Sequence, residues 1–193
     1  MDPIEVAAAL LVIVNVALVA RRSVLNYPVG IAAVILYFWV FAWAQLYSDA
    51  LLQGFFLVLN LYGWWNWRRN REQMGTVQVL RLSWPARFAW GVGIAAATWG
   101  WGTLMHRHTD AAYPWWDAGV AIASVAAQVM MARRQWENWV LWIAVDVASV
   151  GLYSVKGLWP TTAVYSLLTG LAAWGLSDWL RARWLQRTEG LPA

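Results

Sequence analysis

Trp139, Trp142, Asp146, Ser149 and Tyr153 follow one another at steps of 3, 4, 3 and 4. That is the spacing of one face of a helix. At 1.5 Å per residue the stripe is about 21 Å long, with Asp146 near its middle. Two indoles, a phenol and a carboxylate on one face have the chemistry of a receptor. The rings stack on a flat heteroaromatic and attract a cation, and the carboxylate offsets positive charge or accepts hydrogen bonds from hydroxyls. Gln53, Asn60, Trp64 and Trp67 make a second face at steps of 7, 4 and 3; Asp117, Ser124 and Gln128 make a third at steps of 7 and 4. Asn15 and Asn138 add further amides, each both donor and acceptor. The ligand these groups suit is small, flat, aromatic, open to a positive charge and polar on one side.

The elements that carry these faces are apolar enough to lie in a membrane. Hydrophobic residues make up 61% of the 193 residues and charged residues 12%, where a soluble domain carries about 25% charge. Seven apolar runs can be read, at about 5–20, 27–47, 50–67, 86–105, 115–132, 136–155 and 159–180, and most approach the roughly 20 residues a helix needs to cross a bilayer. The first is short, but its leader MDPIE is acidic where a signal peptide would be basic, so it reads as a spanning helix. Twelve of the 14 basic residues fall in alternate loops, after runs one, three, five and seven. Cytoplasmic loops are rich in Lys and Arg, which places the N-terminus outside and the C-terminus, with a tail at 181–193, in the cytoplasm. The net charge of +4 is thus topological and does not call for nucleic acid. With no cysteine and His106 and His108 two apart in an outer loop, neither a disulfide nor a metal site is expected, and no cofactor.

An ionised carboxylate facing lipid costs at least about 2.5–3.5 kcal/mol, so the Asp146 face must look into the bundle or a wet cavity. Plainer readings exist for its neighbours. Tryptophans near run ends, Trp64 and Trp67 among them, suit an interfacial belt. Gln128 and Asn15 could serve as interhelical hydrogen bonds.

The chain also repeats itself. A shift of 112 residues lays RRSVLNYPVGI at 21–31 on RRQWENWVLWI at 133–143, and YGWWNWRRNR at 62–71 on WGLSDWLRAR at 174–183. Arg21, Arg22, Asn26, Gly63, Trp67, Arg69 and Arg71 then meet identical residues. Runs one to three (about 5–67) are paired with runs five to seven (about 115–180), and run four (about 86–105) joins them. Equivalent helices are four crossings apart, so the repeats are parallel, a plan in which transporters bind substrate near mid-membrane between the repeats. The polar groups differ between the repeats, Asn60 meeting Ala172, as one asymmetric ligand would require.

Two other classes fit less well. An intramembrane hydrolase needs a nucleophile and base or two adjoining carboxylates, but Glu137 and Asp146 are nine residues apart and no histidine lies in a run. An ion channel would suit a lone aspartate but leaves the tryptophan stripe unexplained.

The stretches 26–67 and 132–175, with Asn138, Trp139 and Trp142 as Asn-Trp-x-x-Trp and LYSDALLQ carrying Asp49 and Gln53, resemble the PnuC-type nicotinamide riboside transporters. The resemblance implies an all-α integral membrane fold of seven transmembrane helices, two parallel three-helix repeats about a linker helix, like the SWEET sugar transporters. It implies facilitated diffusion of nicotinamide riboside across the bacterial cytoplasmic membrane, made one-way by phosphorylation inside, usually in a homotrimer. Wider relatives carry thiamine or riboflavin, and thiamine is also flat and cationic. The expected substrate-binding residues are Gln53, Asn60, Trp64, Gln128, Asn138, Trp139, Trp142, Asp146 and Tyr153. With Asp146 the one deep acid, uncoupled transport is expected.

Overall fold

The computed structural model describes residues 3–43, 45, 47–109, 113–155, 157 and 159–188. The apolar runs form seven helices: α1 Pro3–Ala20, α2 Asn26–Trp43, α3 Tyr47–Met74, α4 Trp84–His108, α5 Pro114–Ala132, α6 Glu137–Val155 and α7 Trp159–Thr188. A helix satisfies its own backbone polar groups, which hydrocarbon cannot do for it. Proline opens α4 and α5 within the first turn, and the Ser83 hydroxyl caps α4 by accepting from the Ala86 N–H at 3.4 Å. By length and composition α2, α5 and α6 each suffice to span a membrane, while Val6–Ala20 is apolar but shorter. Leu51 and Phe88 stand more than three-quarters exposed, among many outward apolar side chains. Such a surface matches lipid, not water.

The helices pack as two three-helix bundles, α1–α2–α3 and α5–α6–α7, with α4 laid on α5 and the bundles meeting through α1 on α7 and α3 on α5. The 112-residue repeat holds at the level of single bonds. Arg22 and Arg134 both take left-handed backbone, φ 54° and 63°, two residues past the ends of α1 and α5. Their N–H groups bond the carbonyls of Val19 and Met131, and the next residues, Ser23 and Gln135, bond Leu18 and Met130, all at 2.9 Å. This is the Schellman helix end, made twice. The Asn26 and Asn138 amides then donate to the carbonyls of Ser23 and Gln135, at 2.7 and 2.6 Å. At the opposite end of the bundles Gln45 and Gly157 turn the chain with φ 60° and 70°. The turn at Gln45 falls inside the run 27–47 read as one helix, and α2 accordingly stops at Trp43.

The main aromatic core sits at the Arg-rich end, where the bundles touch. Trp67 of α3 donates its Nε1–H to the Met131 carbonyl at 3.1 Å, and its repeat mate Trp179 of α7 donates to the Val19 carbonyl at 3.0 Å. Each indole is fully buried and crosses into the other repeat. The two rings lie 5.6 Å apart, with Tyr27 edge-on to Trp67 at 5.3 Å and Trp139 edge-on to Trp179 at 5.7 Å. Tyr27 and Trp139 fit because Gly63 and Gly175 face them: a Cβ there would stand 2.5 Å from the Tyr27 hydroxyl and from Trp139 Cζ2. Gly175→Ala should therefore lower stability by about 1–3 kcal/mol through overpacking. Gly170→Ala, on the same helix with no atom near the new methyl, should be neutral or stabilising by up to about 1 kcal/mol. Melting of the two variants followed by tryptophan fluorescence checks both signs.

Two regions depart from the expected plan. Residues 181–188, read as part of a tail, continue α7; residues 189–193 lie outside the described residues. The helix persists because Arg183 and Gln186 bind a buried piece of the connector. That piece, 76–82, was read as a simple basic loop. Instead Val77, Gln78, Val79 and Leu82 are buried, and Val77 and Val79 close over the tryptophan core. Leu80 pairs with the α5–α6 turn, its N–H bonding the Arg134 carbonyl at 2.8 Å and its carbonyl accepting from the Trp136 N–H at 3.2 Å. Burial pushes the Arg134 guanidinium below its ordinary value, although an arginine stays charged at neutral pH.

Candidate substrate-binding site

Distances along the helices order the polar groups relative to the aromatic core. Asn60 lies seven residues before Trp67, Ser124 seven before Met131 and Asp146 seven after Trp139, each about 10 Å deeper along its helix. Asn15 and Gln128 lie nearer the core. Asn60, Ser124, Gln128, Asp146 and Ser149 are all buried. They form a polar layer across the middle of both bundles, with the aromatic core between it and the Arg-rich end.

The expected site residues separate into three groups. Asn138 is fully buried in the α5–α6 turn, holding the Gln135 carbonyl. Trp139 belongs to the aromatic core, against Gly175 and Trp179, and Trp64 and Trp142 pack half-buried on that core. Asp146, Tyr153, Asn60, Gln128 and Gln53 lie deeper. Asp146 is 5% exposed at the midpoint of α6, and among the described residues no basic side chain pairs with it. The Tyr153 ring stacks on Tyr165 of α7 at 5.3 Å and the two share a side-chain hydrogen bond; Asp146 and Tyr37 of α2 lie close enough to Tyr165 to interact electrostatically. Asn60 faces Gly30 and Asn15, and its amide donates to the Phe56 carbonyl at 2.9 Å. Gln53 lines a groove of about 170 Å³ between α2 and α3.

Tyr37 and Tyr165 escaped the sequence reading. The signal was present, since Tyr165 is the repeat mate of Gln53 and Tyr37 that of Ser149, two positions already on polar faces. The repeat also explains how the halves differ. Around Gly30 stand Asn15 and Asn60; their mates are Trp142, Ala127 and Ala172. One half sets two amides about a glycine, the other an indole against two alanines, both buried. The same place in the fold is polar in one repeat and aromatic in the other.

Seven helices in two parallel repeats about a linker helix, with buried polar side chains midway along the bundles, are the architecture of a membrane transporter. The chain belongs to the nicotinamide mononucleotide transporter family, whose model matches residues 2–181. It is 27% identical to the nicotinamide riboside transporter PnuC of Escherichia coli K12, over 93% of this chain and 85% of that protein. It is 30% identical to the riboflavin/roseoflavin transporter RibM of Streptomyces davaonensis, over 98% of this chain and 91% of that one. The crystal structure of the vitamin B3 transporter PnuC shares the fold, with a TM-score of 0.77 at 23% identity over 94% of this chain and 82% of that chain.

Proposed function

We propose that this protein carries nicotinamide riboside across the bacterial cytoplasmic membrane by facilitated diffusion. The observation that carries the reading is Asp146, a buried carboxylate at mid-helix with Tyr165 near it and no cationic partner among the described residues. A carboxylate in hydrocarbon demands compensation, and a pyridinium ring supplies both positive charge and a flat face for aromatic side chains. The ribose hydroxyls suit the amides of Asn60, Gln128 and Gln53. Trp142, between the aromatic core and Asp146 along α6, is the ring best placed to stack, with Tyr153 on the far side; Trp64, Asn138 and Trp139 support the site from the Arg-rich end. Riboflavin is the second reading, favoured by the likeness to RibM; it is flat but uncharged and leaves Asp146 unexplained. The basic loops orient the Arg-rich end to the cytoplasm, and the family resemblance supports a homotrimer.

Tryptophan-fluorescence melting of the purified protein with nicotinamide riboside, thiamine and riboflavin separates the candidates. A ligand at 100 times its dissociation constant adds about 2.7 kcal/mol. Proteoliposomes should then equilibrate nicotinamide riboside with no ion gradient imposed. A shift with riboflavin alone overturns the substrate, and accumulation above the outside level driven by a proton or sodium gradient overturns uncoupled transport.

A further inference from the structure

Two copies of one repeat should treat a shared connector alike, and these do not. The connector 76–82 bonds repeat two at several points. Besides the Leu80 pairing with the α5–α6 turn, the Leu82 N–H reaches Glu137 Oε1 at 3.0 Å, the Val79 N–H reaches Gln186 Oε1 at 3.3 Å, and Arg183 donates to the Val79 carbonyl at 3.4 Å. Arg87, in the first turn of α4, adds two bonds to Glu137 at 2.7 and 3.1 Å, and α4 packs on α5. To repeat one, beyond its covalent link and the packing of Val77 and Val79 on the aromatic core that both repeats build, the connector gives one hydrogen bond, from the Gln78 N–H to Asn70 Oδ1 at 2.8 Å. The groove of repeat one lined by Val24, Leu25 and Arg71 is an open space of about 370 Å³. Its mates in repeat two are Trp136, Glu137 and Arg183, the residues that hold the connector and Arg87.

The bonds between the repeats are of another kind. Apart from the connector they are few and they gather at the Arg-rich end: two are the reciprocal indole bonds of Trp67 to Met131 and Trp179 to Val19, and a third runs from the Asn66 amide to the Ala132 carbonyl at 2.8 Å. The fourth joins Arg22 to the Asp178 carboxylate, with a further bond from Arg22 to the Asp178 carbonyl at 3.3 Å, and the Arg21 guanidinium lies over the Trp174 ring at 5.6 Å.

We propose that the connector, α4 and repeat two form one rigid body, that repeat one moves against it, and that the Trp67–Met131, Asn66–Ala132, Trp179–Val19 and Arg22–Asp178 contacts are the gate at the Arg-rich end. Opening breaks all four and leaves the connector seated. Each indole holds a carbonyl at the last turn of a helix in the opposite repeat, so a small rotation of one bundle separates both bonds together. Packed interfaces of this kind switch between discrete arrangements, and transporters built from repeats rock one part against another about a fixed site. The inference rests on the transport reading for its substrate but not for its geometry.

The chain has no cysteine, so engineered pairs are unique. Arg22→Cys with Asp178→Cys, bridged by a short reducible bis-thiosulfonate reagent, spans the gate. Leu80→Cys with Gln135→Cys, joined as a disulfide at the bridge between connector and turn, lies within one body. Bridging the first pair should slow nicotinamide riboside uptake into proteoliposomes at least tenfold, with recovery on reduction; bridging the second should leave uptake unchanged. Spin labels give a readout that needs no substrate. In bilayers, labels at Arg69→Cys and Arg181→Cys, across the gate, should show a broad or two-peaked distance, and labels at Arg81→Cys and Arg181→Cys, within one body, a narrow one. Full uptake with the first bridge in place, blocked uptake with the second, or a single narrow distance across the gate would each overturn the proposal.

Discussion

Glu137→Ala should cost the folded protein about 3 kcal/mol, the effect of stripping one partner from a buried pair. Its side chain is only 10% exposed and that of Arg87 22%, so little solvent screening reduces the figure. The carboxylate oxygen accepts three bonds, two from the Arg87 guanidinium and one from the Leu82 N–H. Removing it leaves a buried backbone donor and a cation whose remaining support is the faces of Trp84 and Trp136, at 4.8 and 5.2 Å. For a chain of this length the loss corresponds to about 6–12 °C in melting temperature. Glu137→Gln keeps an acceptor for Leu82 and should cost about 1 kcal/mol. Unfolding followed by tryptophan fluorescence measures both. Equal, small effects from the two would mean that the ion pair contributes nothing and that Val77 and Val79 alone seat the connector.

That prediction concerns a part of the fold the sequence reading missed, and the reason is physical. The seven helices were legible because hydrocarbon permits few alternatives and because positive charge marks one side. The repeat was legible because the same turn chemistry is needed twice: Arg22 and Arg134, Asn26 and Asn138, Gly63 and Gly175 each do the same work in both halves. The connector happens once, so no mate announced it. Its clue was local, Val77 and Val79 on either side of Gln78, an apolar–polar alternation that reads as strand but was lost among the surrounding arginines.

The stripe on α6 shows a different limit. Periodicity put Trp139 and Asp146 on one face, but it says nothing about which helix stands opposite at each level. Opposite Trp139 stands Gly175, with Trp179 edge-on. Near Asp146 stands Tyr165. One face thus serves two purposes, sealing and packing toward the Arg-rich end and carrying the unpaired carboxylate in the middle, and only the neighbours separate them.

This division sets the last expected result. Asp146→Asn should weaken nicotinamide riboside binding at least tenfold, a loss of about 1.4 kcal/mol or more, because the change preserves shape and removes a buried mid-helix charge able to offset a pyridinium. Riboflavin, uncharged, should lose no more than about threefold, roughly 0.7 kcal/mol. Trp142→Ala should weaken both, since a stacked ring contributes about 0.5–1.5 kcal/mol beyond the area it buries and both ligands are flat. Trp139→Ala should instead lower stability by about 3–5 kcal/mol, the cost of emptying a packed aromatic site, and any loss of binding should follow from that. Calorimetric titration beside melting curves of the same samples separates the two kinds of effect. Normal binding in both Asp146→Asn and Trp142→Ala would make the whole stripe helix packing, and the ligand would have to lie against the amides of repeat one, where Asn15 and Asn60 close over Gly30.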